Sequence, residues 1–88
     1  MQEVKYSDVV LNIQTIADKI KEATGVKLKL ANKQSPEFVA LGGITEEDLI
    51  NIGFVFVGYS NYIKCPIYRY GKNIEAIFNE TILHLYTI

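Results

Sequence analysis

Thr45-Glu46-Glu47-Asp48-Leu49-Ile50-Asn51-Ile52-Gly53-Phe54 opens the stretch, residues 45–71, in which several physical signals fall in register. Thr45 suits a helix N-cap, because its hydroxyl can accept an otherwise unpaired amide of the first turn. The acids that follow favour the positive end of the helix dipole. Leu49 and Ile52 supply an apolar face, and Gly53 suits the left-handed residue that closes such a helix. An alternating aromatic hairpin follows: Phe54 to Tyr59, a polar Ser60-Asn61 turn, and a return strand from Tyr62 to Tyr70. A short helix feeding an antiparallel sheet is the architecture this stretch implies.

Working outward toward the N-terminus, Val9, Val10, Ile13, Ile16, Ala17, Ile20 and Ala23 recur at spacings of three and four. That is one stripe of an amphipathic helix, opened near Ser7 and closed by Gly25. Val26, Leu28 and Leu30 alternate with Lys27 and Lys29, so the reading sets the apolar residues inward and the lysines outward. Asn32 to Pro36 forms a turn, and Glu37 to Leu41 a second strand ended by Gly42-Gly43. Toward the C-terminus, Gly71 to Asn73 turns the chain into Ile74 to Phe78, and Asn79-Glu80 turns it into Thr81 to Ile88. Residues 1–88 therefore read as a single α+β domain. An N-terminal amphipathic helix packs on an antiparallel β-sheet of hairpin and meander, with a short second helix.

Bulk composition narrows function by exclusion. With 88 residues, 49% of them hydrophobic and 22% charged, the chain is globular in character and too apolar for disorder. Nine basic and ten acidic side chains leave a formal charge of −1, which gives no global attraction to nucleic acid or anionic lipid. Residues 1–20 mix Glu3, Lys5, Asp8, Asn12 and Asp18 with apolar residues, so neither a secretory signal nor a membrane span is expected. A single cysteine permits no intrachain disulfide and fits a cytoplasmic setting.

The chemistry-bearing residues are few. His84, the one histidine, shares a strand face with Ile82, Tyr86 and Ile88 and reads as a satisfied histidine on a sheet. No paired ligand spacing accompanies it, so no metal site is expected. Cys65 lies between isoleucines on its own face and reads as a small buried thiol. Glu46, Glu47 and Asp48 point in different directions on one helical turn, and Gly42-Gly43 lacks the Lys-Ser/Thr of a phosphate loop. No nucleophile, base and orienting group can be assembled, so the expectation is a non-enzyme with no catalytic residues and no cofactor.

Three surfaces remain as candidates. Tyr62, Tyr68 and Tyr70 fall on one face of the return strand, with Tyr59 across the turn and Arg69 alongside. Tyrosine and arginine bury area while keeping a polar handle, so this set is the candidate face for another protein. Lys27, Lys29 and Lys33 form a basic surface, but without interleaved aromatics or arginine a nucleic-acid partner is disfavoured. The last strand is apolar on both faces, which requires an interior place in the sheet, cover from the helix, or pairing in a homodimer through Ile82, His84, Tyr86 and Ile88.

The run Ile44-Thr45-Glu46-Glu47-Asp48-Leu49, then Gly53-Phe54 and an aromatic hairpin, resembles a set of small phage and prophage proteins common in AT-rich genomes of the Bacteroidota. The resemblance covers about residues 44–88. Those relatives often continue into a C-terminal helix, a role the segment 7–24 would fill here from the other end. The resemblance implies a viral or mobile-element origin and carries over no catalytic residues. The expectation is an accessory protein in the cytoplasm of a bacterial host, binding and inhibiting or redirecting a defence or replication factor. A self-assembling virion component and a weak nucleic-acid-binding module are the alternatives.

Overall fold

The computed structural model describes residues 6–32, 34, 37–61 and 64–88, with side chains from residue 13 onward. The chain runs α1 (Tyr6–Thr24), β1 (Lys29–Asn32), β2 (Glu37–Ala40), α2 (Glu46–Ile52), β3 (Val55–Tyr59), β4 (Pro66–Tyr70), β5 (Ile74–Asn79) and β6 (Ile82–Thr87). It is an α+β fold. The six strands form one antiparallel sheet in the order β1-β2-β6-β5-β4-β3. Both helices lie on one side of it, α1 against β6 and α2.

Local chemistry accounts for most of the elements. The Thr45 hydroxyl accepts the Asp48 amide at 3.1 Å, and the Asp48 carboxylate accepts the Thr45 amide at 2.9 Å. Together they make a reciprocal capping box that satisfies two donors at the start of α2. At its end Gly53 has a φ of 126° and donates to the Leu49 and Ile50 carbonyls, while Phe54 donates to Leu49. The first helix places Ile13, Ile16, Ala17 and Ile20 in the core, as its spacing requires. They meet Phe38, Leu49, Ala76, Leu83 and Leu85 from the strands and α2. Ala23, the last member of the predicted stripe, is exposed in the final turn of α1.

The predicted hairpin and meander are not separate. The last strand lies between β2 and β5, joining them edge to edge. Glu37–Ala40 pairs with Leu83–Tyr86 on one side, and Ile74–Asn79 pairs with Ile82–Thr87 on the other. Two of the three expected solutions are found together: the apolar last strand is interior to the sheet, and α1 covers one of its faces. The first strand begins later than its alternation predicts. Leu28 is buried, but Leu30 is 43% exposed on β1, which ends the sheet.

Pro66 opens β4, where its missing amide costs least. The partner strand β3 shifts register between Phe56 and Gly58, so Val57 sits on a bulge.

Candidate protein-binding surface

The structure separates the residues of the predicted tyrosine face. Tyr68 is only 3% exposed and belongs to the core, so it presents no ring to a partner. Its ring packs edge-on against Phe78 and Phe56, with centroids 6.4 and 5.5 Å away. Its hydroxyl donates to the Glu46 carboxylate on α2. Burial first, and then that hydrogen bond, push the Tyr68 phenol up to about 12.

Tyr70 is half-buried and braces the two layers. Its ring meets Phe54 at 5.1 Å, its hydroxyl accepts from Lys19 Nζ at 3.0 Å, and the same ammonium lies 5.5 Å from the ring centroid. The hydrogen bond to Tyr70 holds the Lys19 ammonium above its ordinary value. Arg69 alternates to the opposite face, where it donates to Glu75 at 3.0 Å. Tyr62 lies outside the described residues. Of the five predicted contact residues, Tyr59 alone combines a described position with a ring presented outward.

The reason for the correction is the side of the sheet that the helices cover. Tyr68 and Tyr70 alternate with Arg69, as read from sequence, but their face is the one buried beneath α1 and α2. Ile67 points with Arg69 to the uncovered side.

Tyr59 has other company. It ends β3, the terminal strand of the sheet, where Val55 is 64% exposed, Phe56 44%, Val57 48% and Tyr59 64%. Phe56 and Tyr59 meet edge-on at 5.3 Å. An aromatic chain Tyr59, Phe56, Tyr68, Phe78 thus leads from the sheet edge into the core. Val55, Phe56 and Val57 were not singled out by sequence reasoning. The signal was present, because Phe54 to Tyr59 contains no charge and no proline. Recognising it required knowing that this strand ends the sheet.

On the uncovered face, Arg69, Glu75, Tyr86 and Glu37 stand in one row across four strands. Tyr86 donates to Glu75, which also receives Arg69, so one carboxylate joins two neighbours. Burial and the bond to Glu75 raise the Tyr86 phenol well above its ordinary value. The adjacent row holds Ile67, Ile77, His84 and Val39. His84 Nδ1 lies 3.3 Å from Glu37, an ion pair when the imidazole is protonated.

Ile82, His84 and Tyr86 are half-buried on this face, and Ile88 is exposed beyond the strand. Because β6 has strands on both sides, its main chain is spent, and self-association by pairing through it is ruled out. Lys27 and Lys29 are exposed near β1, while Lys33 lies outside the described residues.

Cys65 is buried, as expected, at the wall of a cleft of about 920 Å³ between the Gly42–Glu46 segment and the β5–β6 turn. Among the described residues, no three His, Cys, Asp or Glu side chains are grouped to hold a metal ion, and no helix is long and apolar enough to cross a membrane. No protein-family model, curated protein or solved structure matches the chain.

Proposed function

We propose that this chain is a non-enzymatic accessory protein that acts by binding another protein through the open edge formed by β3. The observation that carries the reading is the exposure of Val55, Phe56, Val57 and Tyr59 on a terminal strand without a charged residue. Terminal strands are ordinarily guarded by lysine, proline or cover, because their unpaired main chain recruits other strands. Here a bulge is the only such guard within the strand. An extended segment of a partner gains main-chain hydrogen bonds along β3 and buries Phe56 and Tyr59. The resemblance to phage and prophage proteins supports a partner among host defence or replication factors, which the protein would inhibit or redirect.

The same edge supports a second reading, self-assembly of a structural component. Two copies of β3 paired antiparallel meet without opposing like charges.

One experiment separates these readings. Val57→Lys places a charge on the edge, and Tyr59→Ala removes its most exposed ring. Affinity capture from host lysate should retain a protein with the wild type and lose it with both folded variants. Retention by both variants would remove the β3 site. A concentration-dependent oligomer in sedimentation velocity, abolished by Val57→Lys and formed without host protein, would establish self-assembly instead.

A further inference from the structure

The opposite end of the sheet carries different chemistry. Between the flank of α1 and β1 lies a groove of about 320 Å³. Its apolar floor is made by Ala17, Leu28, Leu30 and Phe38, of which Leu30 is substantially exposed. Lys21, Lys27 and Lys29 line it, against a single acid, Asp18. That acid is engaged by Gln14, whose amide nitrogen donates to it at 3.0 Å. Beside the groove runs β1, which pairs with β2 on one side and ends the sheet on the other.

We infer that this groove is a second peptide site, which takes an extended segment bearing an apolar residue flanked by acidic ones. Three features select that occupant. A strand edge offers alternating amide and carbonyl groups, which only an extended main chain can match along its length. The groove volume sits at the small end of ligand sites, enough for one or two apolar side chains. Three lysines facing one acid give complementarity to a segment with several carboxylates.

A single-stranded nucleic acid fits these features less well. Base stacking needs an exposed aromatic face. Phe38 is the aromatic residue of the groove and lies buried in its floor. The inference is independent of the β3 reading, since it concerns the other edge and a partner of opposite character.

The test uses the full chain and a fluorescein-labelled heptapeptide with a central leucine between glutamates, followed by fluorescence anisotropy. Its lysine-flanked counterpart and a version N-methylated at alternate amides serve as controls. The glutamate peptide should bind, weaken as ionic strength rises, and lose affinity on N-methylation, with amide shifts on β1 in NMR spectra. The Lys27→Glu/Lys29→Glu variant should bind about tenfold more weakly. Leu30→Ser, at an exposed position, tests the floor separately and should also weaken binding.

Melting curves establish that both variants are folded. The proposal is overturned if the glutamate peptide binds no better than the lysine peptide, or if neither folded variant changes its affinity. It is equally overturned if a thymidine oligonucleotide binds the same lysines while the peptide does not.

Discussion

Tyr68 carries two contributions that substitution can pull apart. Tyr68→Phe keeps the ring against Phe56 and Phe78 and removes only the hydroxyl that donates to Glu46. It should cost about 0.5–1.5 kcal/mol in denaturant unfolding, whereas Tyr68→Ala also opens a cavity and should cost about 3–5 kcal/mol. The raised phenol adds a pH dependence. Its folded value, about 12, lies above the ordinary 10, so the unfolded chain ionises first as pH rises. The stabilisation is complete below pH 10 and is lost between about 10 and 12. Unfolding midpoints measured across that interval should fall more steeply for the wild type than for Tyr68→Phe. The raised phenol of Tyr86 leaves a residual slope in both.

At the scale of elements, α2 is held by its ends. Thr45→Ala removes the hydroxyl that accepts the Asp48 amide and should lower stability by about 1 kcal/mol in chemical denaturation. Gly53→Ala should cost more. The residue has a positive φ, and an added Cβ would stand 3.2 Å from the Tyr70 ring, which is itself tied to Phe54 and Lys19. Backbone strain of this kind costs about 1–3 kcal/mol, and a thermal melt of the two variants should rank them in that order.

This helix was fully legible in sequence, since cap, acids, apolar pair and terminal glycine act within a few residues of one another. The strands β4 and β1 were legible only as alternation. Period-two spacing placed Tyr68 and Tyr70 together and Arg69 opposite. It could not say which side α1 would cover, because Ile67 and Tyr68 are both credible core residues. It placed Leu30 on the inward face, beside Phe38, but could not show that a terminal strand would leave it 43% exposed.

Across the whole molecule, stability should follow distance from β6. Leu83 is fully buried on that central strand, and Leu83→Ala should cost about 2–5 kcal/mol. Leu30→Ala, at the uncovered end, should stay within about 0.5 kcal/mol, and equilibrium unfolding of both variants checks the gradient.

The amino-acid sequence by itself determined the two helices and an α+β composition, because caps, glycines and hydrophobic periodicity act over a few residues. Tertiary structure decided that β6 inserts between β2 and β5, joining segments more than forty residues apart into one sheet. That insertion left β1 and β3 as the two open edges, one beside lysines and the other apolar. Which strands end a sheet depends on long-range pairing, and no local pattern encodes it.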